Sequence, residues 1–234
     1  MGSITFNVVP PVEALKSDVE YFRISEYKGT DGVAVKVCPN GLPGIVFQHS
    51  NGQSAIQSIV TSSGYTVQHL PTLYLYGQIT ELAVMNFKSG PYTTVQAVLK
   101  PHALKSLFGI DASTVSNGSM MPHEFAAEDL NTQLITAKSS QDYITLFSTF
   151  LLDKLKQTHA RDPLIEESLH FIHTNISSIT VKNLLAHLHL SERQFEKRFV
   201  QSVGVSPQFY LFGDVRIIQH WNPAAFKTQV SIRT

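Results

Sequence analysis

Up to about residue 100 the apolar positions come in short runs. "YFRISEYK", "VAVKV", "GIVFQH", "LYLYGQ", "AVMNFK" and "TTVQAVL" are rich in Val, Ile, Tyr, Phe and Thr, and "PNGLPG" and "KSGP" punctuate them. Many short β-prone runs separated by Gly and Pro predict an antiparallel barrel or sandwich. From Pro101 the period changes. "PHALKSLFGI" predicts a helix with Pro101 in its first turn and Gly109 as its stop. In "SQDYITLFSTFLLDKLKQ" the residues Ile144, Phe147, Leu151, Leu152 and Leu155 form one apolar stripe at helical spacing. Two uses of that stripe stay open: packing against the strand-rich part, or a homodimer contact through the helix 141–156.

A further helix is expected in "RDPLIEESLHFIHTN", with Asp162 as N-cap, Pro163 at the first position and Ile165, Leu169, Ile172 and Ile176 on one face. Thr180 can cap the next helix, "VKNLLAHL", whose Leu184, Leu185 and Leu188 would face a core. After the very short turn His189-Leu190, Ser191 opens another helix with Gln194 at its third position, a capping-box spacing. Gly204 ends that helix, and Ser206-Pro207 starts the next. The expected fold is α+β. A β-rich sensor or dimerisation domain with appended helices covers 1–158, an all-α unit covers 162–221, and a tail covers 222–234.

Two short helices joined by a tight turn make a helix-turn-helix, which docks its second helix in the major groove. At 100° per residue, with Phe195 at zero, Phe199 falls near roughly 40°, Arg193 near 160°, Lys197 near 200°, Gln201 near 240° and Gln194 near 260°. The phenylalanines point inward together, and the opposite face carries two cations and two amides. Those side chains match guanine and adenine edges, and the flanking Glu196 could accept from cytosine or restrain Arg193 and Lys197. The expected DNA-contacting set is Ser191, Arg193, Gln194, Glu196, Lys197 and Gln201.

Residues 179–211, "LLAHLHLSERQFEKRFVQSVGVSPQFY" above all, resemble the first helix-turn-helix of AraC/XylS-type transcription regulators. Ser191, Phe195, Arg198, Phe199, Gly204, Ser206, Pro207 and Tyr210 stand where that family has them. Leu185 replaces its usual Ala, and His189 replaces its turn Gly, a substitution His tolerates because it visits positive φ more often than most residues. The resemblance places the base-contacting positions on Arg193, Glu196 and Lys197. Pro39, Gly41, Gly77, Gln78, Pro101 and Phe108-Gly109 resemble an uncharacterised N-terminal domain that precedes such helices. That implies a regulatory or dimerising role and supplies no ligand.

The family joins two helix-turn-helix units by a long helix. Here Gly213-Asp214 makes a poor helix centre, Arg216 lies one position past the family's linker-helix Arg, and only 13 residues follow Trp221. The expectation is a regulator lacking its second unit and binding double-stranded DNA weakly alone, or an antagonist of an intact regulator.

Charge and composition change this picture little. Residues 1–150 carry 8 Lys and Arg against 11 Asp and Glu, and residues 151–234 carry 10 against 7, so the mild basic excess lies in the C-terminal part. Cys38 is the only cysteine, which excludes an internal disulfide. "MGSITFNVVP" has no secretory pattern, and "YITLFSTFLL" is too short for a bilayer, so a cytoplasmic protein with no membrane partner is expected. The ten histidines form no recognised zinc motif, and no nucleophile elbow, phosphate loop or dinucleotide fingerprint occurs. No cofactor and no enzymatic activity are expected. A small-molecule effector remains open, with Tyr65, Tyr74, Tyr76 and Gln78 as pocket residues or as ordinary core.

Overall fold

The computed structural model describes residues 3–175 and 179–211 and the backbone of Val230–Ile232. The fold is α+β. One antiparallel sheet runs β1 (Ile4–Val9), β2 (Val19–Tyr27), β9 (Tyr92–Leu99), β4 (Gly44–His49), β7 (Leu73–Tyr76) and β10 (Ser119–Met120). The other runs β11 (Val230–Ile232), β3 (Val33–Val37), β8 (Ala83–Phe87), β5 (Ile56–Thr61) and β6 (Thr66–Gln68). Of the two all-β alternatives, this is the sandwich. The runs missed by the sequence patterning are β1, β5, β6 and the two-residue β10. "IQSIVT" and "TVQ" mix polar residues into strands that form the solvent-side edge of the smaller sheet.

The larger sheet is covered on both faces, which is why "GIVFQ" and "LYLY" read as continuous apolar runs. Ile45, Phe47, Leu73 and Leu75 face the helices α1 (Ala103–Phe108), α2 (Glu128–Thr136) and α3 (Ser140–Gln157). Val46 and Tyr74, one residue out of phase, face the smaller sheet together with Tyr27, Phe87 and Tyr92. Phe87 and Tyr92 stack at 4.1 Å between ring centroids.

Helix α3 spans the predicted segment, with Ser139 accepting from the Asp142 N–H at its start. Its stripe is spent inside the chain. Ile144, Phe147 and Leu151 are buried in the helix-facing core, and Leu152 and Leu155 pack on its margin. Of the two uses left open for the stripe, packing inside the chain is the one seen for its centre, with Phe147 fully buried 6.4 Å from Phe22 of the sheet.

The C-terminal helices have their own core. Ile165, Leu169 and Ile172 of α4 (Pro163–Thr174), Leu184 of α5 (Val181–Leu188) and Phe195, Phe199 and Val203 of α6 (Glu192–Val203) close around Tyr210, beyond the short α7 (Pro207–Phe209). Ile176, the segment 212–229 with Gly213, Asp214, Arg216 and Trp221, and the side chains of the expected tail lie outside the described residues. No helix among the described residues is long and apolar enough to cross a membrane.

Two histidines hydrogen-bond tyrosines at the margins of these cores, His49 half-buried and His173 with much of its side chain open to solvent. The Gly52 N–H donates to His49 Nδ1 at 3.3 Å, which leaves Nε2 as the donor to the Tyr143 hydroxyl at 3.2 Å. His173 Nε2 meets the Tyr210 hydroxyl at 3.1 Å. Burial pushes both imidazoles below their usual pKa. The folded state therefore binds fewer protons than the unfolded one below about pH 6.5. Stability should be full above that pH and fall as pH drops through it, levelling off below the folded-state pKa values. Urea midpoints between pH 8 and pH 5 check this, and His49→Gln should flatten the decline. A midpoint that rises on acidification would contradict the assignment.

Candidate nucleic-acid interface

Thr180 accepts from the Asn183 N–H and starts α5. The helix ends on His189 at φ 53°, the left-handed position that a glycine would fill at least cost. The chain then turns through Leu190 and Ser191 into α6, whose C-cap is Gly204 at φ 95°. Phe195 and Phe199 are fully buried, with ring centroids 5.4 Å apart. Arg193 and Lys197 are exposed on the opposite side, and Glu196 is exposed on the flank. Arg193 and Lys197 have no ion-pair partner among the described residues.

The remaining expected contacts are placed differently. Ser191 makes no capping bond to the α6 backbone. Its hydroxyl donates instead to Gln194 Oε1 at 2.9 Å, so the expected capping box is absent and the two exposed side chains hold each other. Gln194 keeps its amide hydrogens as donors. Gln201 is half-buried, one residue before the buried stretch Ser202–Val205. The structure thus brings Ser191, Arg193, Gln194, Glu196 and Lys197 onto an open surface and partly withdraws Gln201.

Arg198 is a strut. Its guanidinium donates to both carboxylate oxygens of Asp162, at 2.9 and 2.6 Å, tying α6 to the residue that caps α4. His187 is also structural, stacked on Phe171 at 4.2 Å and 3.2 Å from Glu167. Among the described residues no group of three His, Cys, Asp or Glu could hold a metal ion.

Two contacts fix this unit to the sandwich, and the sequence reading named neither. Asp18, fully buried before β2, takes a guanidinium hydrogen bond from Arg161, just ahead of α4, and a hydroxyl bond from Ser106 of α1 at 2.5 Å. Arg161 also bonds Glu166 of α4 at 3.0 Å. Burial would raise the Asp18 carboxyl, but neighbouring His102, Arg161 and Ser106 outweigh it and hold its pKa at about 2. Of those neighbours His102 Nε2 lies 3.7 Å away, too long for a hydrogen bond, so Arg161 and Ser106 are the bonded partners. The second contact is Ser116, whose hydroxyl donates to the Gly204 carbonyl at 2.6 Å.

The four expected pocket residues do not converge. Tyr65 is exposed, Tyr74 and Tyr76 pack between the sheets, and Gln78 is fully buried beside Gly204. Burial raises the pKa of both Tyr74 and Tyr76. A surface hollow of about 540 Å³ lies elsewhere, lined in part by Ser54, Ser58, Gln68, His69 and Lys88.

Residues 7–121 match the model of a family described as a domain of unknown function, DUF6597. That span runs from within β1 through β10 and includes α1, with Pro39, Gly41, Gly77, Gln78, Pro101 and Phe108-Gly109. No curated protein matches. Among solved structures, ToxT from Vibrio cholerae O395 aligns at 12% identity and a TM-score of 0.42, over 92% of this chain and 80% of that one. ToxT bound to an unsaturated fatty acid, from Vibrio cholerae strain SCE256, aligns at 16% identity and a TM-score of 0.40, over 92% and 78%. Similarity at this level assigns neither ligand nor partner to this chain.

Proposed function

We propose that this chain is a sequence-specific transcription regulator of the AraC/XylS type, with α6 as the reading helix and the β-rich part as its regulatory domain. The observation that carries the reading is the α5–His189–α6 geometry. A left-handed turn residue sets two short helices over a shared core and leaves Arg193 and Lys197 open on the far side and Glu196 open on the flank. Arg193 and Lys197 can donate to guanine, and Glu196 can accept from cytosine. The role is binding rather than catalysis, and no cofactor enters it. A small-molecule effector is part of the proposal, with no lining residue assigned to it.

The working form is proposed to be a homodimer, which sets two reading helices on two half-sites; a monomer in sedimentation, with and without bound DNA, would count against it. Arg193→Ala in the full chain should cost about 1–3 kcal/mol of DNA binding, concentrated at one base position. Lys197→Ala should weaken the same complex, whereas Gln57→Ala, on the far sheet, should leave it unchanged. Base preference that survives Arg193→Ala intact would reject the assignment.

A further inference from the structure

Strand β7 leaves the sandwich towards α6 through a bend packed to contact on every side. Tyr76 lies between the sheets, where burial and the nearby Tyr21 and Arg23 act on its hydroxyl. Its neighbour Gly77 has no room for a side chain, because a Cβ there would collide with the Val115 carbonyl. Next comes Gln78, whose amide donates to the Gly41 carbonyl at 2.7 Å and whose own backbone carbonyl accepts from Asn117 N–H at 2.8 Å. Asn117 then bonds Thr80 twice, at 2.8 and 2.6 Å. The turn that receives the bend also holds the helix, since Ser116 bonds the Gly204 carbonyl. A Cβ on Gly204 would stand 2.8 Å from the Ser116 hydroxyl, 3.1 Å from the Ala112 carbonyl and 3.3 Å from Gln78 Cγ. The C-cap of α6 is thus in closest packing with the end of β7 and with the 112–118 turns.

We propose that Gly77–Gln78 and residues 112–118 form a seat for the C-cap of α6, through which the packing between the two sheets sets the tilt of that helix. The consequence for DNA rests on the reading-helix assignment above; the mechanical link does not. A 12-residue helix is about 18 Å long, so a tilt of about 10° at its seated end moves its first turn by about 3 Å. That displacement is enough to take Arg193 out of hydrogen-bond reach of a base. Closely packed interiors transmit such shifts because they are nearly incompressible.

Amide hydrogen exchange on the full chain reads the link directly, since it reports local opening segment by segment. Tyr76→Leu, a change between the sheets, should speed exchange across 201–206 by about three- to tenfold while 165–172 in α4 stays unchanged. Ser116→Ala, at the seat itself, should speed exchange at 201–206 and at 76–78, and Tyr76→Leu added to it should bring little more at 201–206. Exchange at 201–206 that ignores both changes, or rises equally in α4, overturns the seat. The DNA arm separates the two readings. Seat variants that loosen 201–206 should also shift DNA affinity by about three- to tenfold. An intact exchange pattern with no DNA bound by the unaltered chain would sink the reading assignment and leave the seat standing.

Discussion

Phe199→Ala destabilises the chain by about 3–5 kcal/mol, the range for truncating a fully buried aromatic side chain. Phe199 is fully buried, with Phe195 at 5.4 Å and Tyr210 in edge-on contact at 5.6 Å. It sits where α4, α5 and α6 meet in a small core. The two struts on α6 resist collapse as well, because Arg198 holds its middle to Asp162 and Ser116 holds its C-cap. Urea denaturation followed by circular dichroism measures the loss. Phe209→Ala, at a ring 39% exposed ten residues on, should cost clearly less. Equal effects at the two positions would mean that α6 does not pack as described.

Arg161→Ala should cost about 2–4 kcal/mol. Removing one partner of a fully buried ion pair costs about 3–5 kcal/mol, and the partial exposure of Arg161 lowers that figure. The asymmetry of the pair makes the prediction specific. Without Arg161 the Asp18 carboxylate stays fully buried with only Ser106 bonded to it. Without Asp18, Arg161 still reaches Glu166 and solvent. Asp18→Ala should therefore be the milder change, and adding it to Arg161→Ala should restore part of the lost stability. Additive losses in the double variant would refute the pairing. The acid limb follows from the same geometry. The folded pKa of Asp18 is depressed to about 2, so this contribution is present above the unfolded value of about 3.9 and is lost as pH falls from there towards 2.

Local chemistry was legible in the chain, and distant partnerships were not. Asp162, Thr180 and Ser206 cap helices where their spacing places them, and His189 takes the left-handed turn position expected of it. Each of these depends on the next three or four residues. The apolar stripe of α3 was equally clear, but periodicity says that a face is buried and not against what. The pairing of Asp18 with Arg161 spans 143 positions and that of Asp162 with Arg198 spans 36. No local pattern carries either. The same limit explains why Tyr74, Tyr76 and Gln78, adjacent in sequence, end in two environments. The β pleat turns the tyrosines between the sheets, and the bend at Gly77 sends Gln78 to the helix seat. At the N-terminus of α6 a local pattern failed, because the Ser191 hydroxyl had a side-chain acceptor in Gln194 at equal reach.

The central claim is that α6 reads base edges through Arg193, Glu196 and Lys197. It is tested most directly by incubating the full chain with a random pool of duplex DNA at low salt, where the weak binding expected of one helix-turn-helix is strengthened, and sequencing what it retains. The account predicts an enriched motif from the unaltered chain, and loss of preference at one position of that motif with Arg193→Ala. Retention with no enriched motif, or one motif shared by the unaltered chain and by an Arg193→Ala, Lys197→Ala double variant, would contradict it.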